Sequence, residues 1–153
     1  MKITDGTPYI AQVGEMIREY TGWLGRDLSF QHLEEELADL AGKYTPPEGE
    51  LLVALEGEEP AGMVAYHRHS RARCEMKRLY VRPQWRGQGV GDLLVEGIIG
   101  RAARAGYEEM VLDTLKPMKA AIHLYERAGF RECPPYYHNP MEDVLYFRKE
   151  LKR

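Results

Sequence analysis

The chain has 153 residues, 44% of them hydrophobic and 29% charged, with a formal net charge of −3. That length suits one domain, residues 1–153, with a sizeable core and excludes two independent ones, and the composition is neither fibrous nor disordered. No apolar run approaches the ~20 residues that span a bilayer; the opening Met1–Gly6 segment lacks the apolar stretch of a secretory leader; and two cysteines, Cys74 and Cys133, make no disulfide framework, so a cytoplasmic setting is expected.

Taken in chain order, the first third predicts two helices. Val13, Met16, Ile17, Tyr20 and Leu24 recur at helical spacing, and Leu33, Leu37 and Leu40 do so again, with Ser29 as N-cap, Gly42 as C-cap and Glu34, Glu35 and Glu36 turned to solvent. Leu51–Leu55 and Gly62–Tyr66 flank the turn Gly57-Glu58-Glu59-Pro60 and read as a hairpin. A third strand runs from Cys74 to Val81 and stops at Pro83. Leu94, Ile98, Ala102 and Ala105 mark a helix over 89–105 ended by Gly106. Met110-Val111-Leu112 is a buried strand, Lys119 to Ala128 a short helix stopped by Gly129, and two strands close the chain around Phe130–Cys133 and Val144–Lys149. The order predicts an α/β fold, a mixed sheet flanked by helices.

Charge is distributed unevenly: −9 over residues 1–66, +6 over 67–104 and zero over the remainder. The basic middle holds the sharpest motif, Arg86-Gly87-Gln88-Gly89-Val90-Gly91, between a strand and a helix. Glycines there let successive N–H groups converge, and the helix adds its positive end, which makes an anion cradle suited to a pyrophosphate. Arg78, Arg82 and Arg86 supply charge nearby. The third glycine comes one position early for a dinucleotide fingerprint, and no Lys-Ser or Lys-Thr pair exists for a P-loop. What remains is R-x-x-G-x-G, or a glycine turn with capping duty alone. The overall negative charge and the few aromatics among the arginines argue against nucleic acid. His67, His69 and Cys74 lack a completing pair, so no metal site is expected.

The R-x-x-G-x-G loop resembles the acyl-CoA pyrophosphate loop of the GNAT acetyltransferase superfamily. Glu75-Met76-Lys77-Arg78-Leu79-Tyr80-Val81 resembles the strand that precedes it there, and Ala121 to Phe130 resembles the family's A-x-x-L-Y-x-x-x-G-F signature. The chain is also similar to a bacterial-type subgroup with an E-M-K-R-L-Y-V strand, an L-D-T-L strand end and a P-P-Y-Y-x-N-P loop. The resemblance implies a central, mostly antiparallel sheet in which one parallel strand pair splays apart to admit pantetheine. It implies acetyl-CoA as donor, bound by Leu79, Tyr80, Val81, Arg86, Gly87, Gln88, Gly89, Val90, Gly91 and Lys119. Where many members carry Asn, three residues before Ala121, this chain has Met118.

The implied reaction is acetyl transfer to a primary amine of a small molecule or peptide, by direct attack in a ternary complex. Glu75 is the expected base, with a paired strand carboxylate as the alternative. Tyr125 is the expected acid for the departing thiolate, with core packing as the alternative. Tyr136, Tyr137 and Asn139 are expected at the acceptor, or else the two tyrosines cover a strand crossing. A noncatalytic acyl-CoA-binding module on the same fold is the rival function, and a homodimer is compatible with either.

Overall fold

A computed structural model describes residues 1–25 and 33–151; the expected cap at Ser29 lies outside them. Seven strands form one sheet in the order β1-β2-β3-β4-β5-β7-β6. They are β1 (Lys2–Asp5), β2 (Gly49–Glu56), β3 (Glu59–Arg68), β4 (Arg73–Val81), β5 (Glu109–Leu115), β6 (Arg131–Cys133) and β7 (Val144–Glu150). Helices α1 (Ile10–Leu24), α2 (Leu33–Ala38) and α3 (Leu40–Lys43) cover one face, and α4 (Val90–Arg104) and α5 (Lys119–Arg127) the other.

The sheet is buried on both sides, which is why Leu51–Leu55 reads as an unbroken apolar run. Leu51, Val53 and Leu55 pack with Val13, Met16 and Ile17 of α1, while Leu52 and Ala54 pack with Leu94 and Ile98 of α4. No helix among the described residues is long and apolar enough to cross a membrane.

Every neighbouring pair of strands is antiparallel except β4 and β5, whose parallel register ends at Glu75↔Val111. Beyond that point β5 stays paired with β7 and β4 with β3, so the two strands part. A bulge marks the departure. The β3 partners step from Met63↔Tyr80 to Ala65↔Lys77, leaving Arg78 and Leu79 out of the ladder. Arg78 has φ 63, the only positive φ outside glycine among the described residues. Such a conformation costs about 1–3 kcal/mol and persists only where its surroundings enforce it.

Two local expectations change. Strand β1 is an additional edge strand, paired with β2 from Lys2↔Leu55 to Asp5↔Leu52. The expected second helix breaks at Asp39, whose carboxylate accepts from Gly42 N at 3.0 Å and starts α3, so Gly42 lies inside a helix rather than capping one.

Candidate functional site

Gly87 and Gly89 have φ of 78 and 79, which a side chain tolerates poorly, and α4 starts at Val90 with no side-chain cap. A Cβ on Gly91 would lie 2.8 Å from Leu124 Cδ1. The loop, Val81, Leu79 and the start of α5 enclose a groove of about 650 Å³ that Arg86, Val90, Gly91 and Lys119 also line. Gln88 instead turns its amide back to the Gln84 carbonyl.

Of the arginines expected beside the loop, Arg86 alone stands at the groove. Its Nε donates to the Val81 carbonyl at 2.9 Å, and its guanidinium lies 5.5 Å from the Trp23 ring centre and 5.6 Å from that of Tyr80. Arg82 pairs with Glu19 at 3.1 Å and Glu15 at 3.6 Å. Arg78 is buried and donates to both oxygens of Glu36, at 2.7 and 3.1 Å. Glu36, expected in solvent, also accepts from Lys43 at 2.8 Å; burial pushes its carboxyl up, but these partners hold it at about 2. Acidic residues of the first third thus pair with Arg78 and Arg82, two of the three arginines expected beside the loop.

The groove continues, past Leu79 and Ala121, into a narrower cleft of about 90 Å³ where β4 and β5 part. Its walls are Met76–Leu79 on one strand and Leu112–Leu115 on the other, with Tyr125, Met118 and Asn139. Tyr125 packs edge-on to Phe130 and tilted on Phe147, with ring centres 6.1 and 6.4 Å away. Its hydroxyl makes no hydrogen bond among the described residues. Burial pushes its pKa up, and Tyr20 and Asp113 add to the shift, so the phenol stays protonated.

On the α1 side of the splay lies a buried polar cluster. Glu75 accepts from His67 Nε2 at 2.7 Å and from the Tyr136 hydroxyl at 2.5 Å, with Lys77 Nζ 3.9 Å away. Burial pushes the Glu75 carboxyl up, but His67, Lys77 and Tyr136 together bring it down to about 2. Glu75 stands behind the cleft wall, with both oxygens already hydrogen-bonded. The carboxylate in the wall is Asp113. The Tyr137 hydroxyl donates to Asp113 and in turn accepts from Asn139 Nδ2 at 2.8 Å. Burial raises the Asp113 pKa and the Glu75 charge adds to it, against opposing contributions from Tyr137, Lys77 and Asn139. The loop tyrosines do more than cover a crossing: each holds one carboxylate. Asp113 and Lys77 were legible only as polar residues inside apolar strands, Leu-Asp-Thr-Leu and Met-Lys-Arg-Leu.

Residues 15–130 match the acetyltransferase (GNAT) family. An uncharacterized N-acetyltransferase of Schizosaccharomyces pombe is 46% identical over 140 residues, covering 90% of this chain and 86% of that one. Another, from Dictyostelium discoideum, is 31% identical in an alignment covering 99% of each chain. An acetyltransferase from Streptococcus agalactiae superposes with a TM-score of 0.80 over 98% of both chains at 24% identity, which is a likeness of fold.

Proposed function

We propose that this chain, which belongs to the acetyltransferase (GNAT) family, moves an acetyl group from acetyl-CoA to a primary amine of a small molecule or peptide. The observation that carries this is the groove running from the glycine loop into the β4–β5 splay and ending at Tyr125 and a buried carboxylate cluster. Acetyl-CoA, the family's donor, supplies an activated thioester; the chain's residues supply its seat. The Gly87–Gly91 turn and the first turn of α4 present N–H groups to a pyrophosphate, with Arg86 and Lys119 at the rim.

The main chain of Leu79 lies at the mouth of the cleft beyond the end of the β4–β5 register, without a β5 partner, where an extended amide chain can pair with it. Beside it, the Tyr80 N–H is the candidate donor to a carbonyl oxygen that gains negative charge. Tyr125 holds a proton at its hydroxyl for the leaving sulfur. A buried phenol is a weak acid, so transfer waits until thiolate charge develops. Tyr136, Tyr137 and Asn139 frame the acceptor side, through the carboxylates that the tyrosines hold.

The subgroup resemblance fits the same arrangement: its E-M-K-R-L-Y-V, L-D-T-L and P-P-Y-Y-x-N-P segments supply Glu75, Asp113 and Tyr136–Asn139, one polar cluster. The test is thiol release from acetyl-CoA in the presence of amines, with the acetylated amine identified by mass spectrometry. Transfer supports the proposal; binding of acetyl-CoA without transfer to any amine refutes it in favour of a noncatalytic module.

A further inference from the structure

We propose that Asp113, rather than Glu75, receives the acceptor's ammonium group and takes its proton, while Glu75 stays a fixed anion behind it; the proposal rests on the acetyl-transfer reading of the same cleft. Three charged groups meet on this side of the splay, and their geometry is unequal. Glu75 has Lys77 within 3.9 Å and both oxygens hydrogen-bonded, by His67 and by Tyr136. Asp113 has no cation within 4 Å among the described residues; its hydrogen-bond partner is the neutral Tyr137 hydroxyl. His67 and Lys77 both stand beside Glu75, while none of the described cations comes within 4 Å of Asp113, so the place short of a positive charge is Asp113. A protonated amine fills that deficit.

The groups that act on Asp113 come from every element around it: Lys77 and Glu75 of β4, Tyr137 and Asn139 of the loop before β7, and, as groups that feel its charge, Tyr20 of α1, Tyr125 of α5, Tyr136 of that loop and Tyr146 of β7. Lys77 is the sole cation in this set. Burial raises both carboxyls, but His67, Lys77 and Tyr136 pull Glu75 below the ordinary range while Asp113 stays raised, the separation expected of a base and a spectator.

A proton leaves the ammonium nitrogen for an Asp113 oxygen, and the freed lone pair forms the N–C bond to the thioester carbonyl. The C–S bond breaks, sulfur takes the Tyr125 proton, and the second proton from nitrogen returns through water to the Tyr125 oxygen. Asp113 then loses its proton to solvent.

Carboxyl-carbon NMR titration of the free protein, with signals assigned by Asp113→Asn and Glu75→Gln, tests the assignment without turnover. Asp113 is expected to titrate above an ordinary aspartate and Glu75 below an ordinary glutamate; the reverse order overturns the proposal. Turnover is then compared at neutral pH with n-butylamine, which arrives as an ammonium, and hydroxylamine, which arrives neutral. Asp113→Asn keeps the Tyr137 hydrogen bond and should lose ~10²–10⁴ in kcat/KM with butylamine, with a loss at least an order of magnitude smaller for hydroxylamine. Equal losses with both nucleophiles, or a butylamine-selective loss in Glu75→Gln alone, overturn it. Wild-type protein that binds acetyl-CoA yet releases thiol neither to these two nor to any amine of a wider panel overturns the acetyl-transfer reading, and this assignment with it.

Discussion

Replacing Glu36 with Gln tests how the bulge beside the cofactor cleft is held. Glu36 and Arg78 are 5% and 7% exposed, and two hydrogen bonds of 2.7 and 3.1 Å join them across the α2–β4 contact. Burial alone would raise the Glu36 carboxyl, but Arg78 and Lys43 bring it from 4.5 to about 2. At roughly 1.4 kcal/mol per pKa unit, that depression corresponds to about 3 kcal/mol. Removing one partner of a buried pair gives the same size independently, about 3–5 kcal/mol. Glu36→Gln should therefore lower the unfolding free energy by about 3 kcal/mol, which moves a urea midpoint down by about 1–3 M. Because the folded pKa lies below the unfolded one, the contribution is complete above pH 4.5 and is lost as pH falls toward about 2. The gap between wild type and variant should narrow over that window. A gap below about 1 kcal/mol at neutral pH, the size of an exposed pair, refutes the argument, as does one that does not narrow in acid.

Tyr125→Phe should lower kcat by ~10²–10⁴ and leave acetyl-CoA affinity and the melting temperature nearly unchanged, since the hydroxyl has no partner among the described residues; lost stability with intact kcat would mean a packing role. A Cβ at Gly89 meets no atom within 4 Å, but Gly89→Val forces a β-branched residue to φ 79, a strain of about 1–3 kcal/mol, so acetyl-CoA binding by calorimetry should weaken about tenfold or more while the fold persists. Tyr137→Phe removes a hydrogen bond that lowers the Asp113 pKa, so the acid limb of the pH–rate profile should move to higher pH; a limb that stays in place separates Tyr137 from the base.

Most of the sheet was legible because it is buried on both faces: Leu51–Leu55 and Gly62–Tyr66 carry apolar side chains to two cores at once. The glycine loop was legible because Gly87 and Gly89 occupy a left-handed conformation that few other residues adopt. Edge strand β1 was not, since Lys2-Ile3-Thr4-Asp5 is too short to show a period. Glu36 carried a signal that its acidic neighbours hid. It lies three residues after Leu33 and four before Leu40, on the apolar side of α2, where only a buried partner such as Arg78 makes a carboxylate tolerable. The carboxylate cluster depends on contacts distant in sequence, Tyr136 with Glu75 and Tyr137 with Asp113, that no local pattern encodes.

The acetyl-transfer account meets its most direct test in one assay. Wild-type protein is incubated with acetyl-CoA and a panel of monoamines, polyamines, amino acids, aminoglycosides and peptide N-termini, and free thiol and acetylated amine are measured together. The account predicts equal amounts of both for at least one amine. Tight acetyl-CoA binding with no acetylated amine across the panel would contradict it.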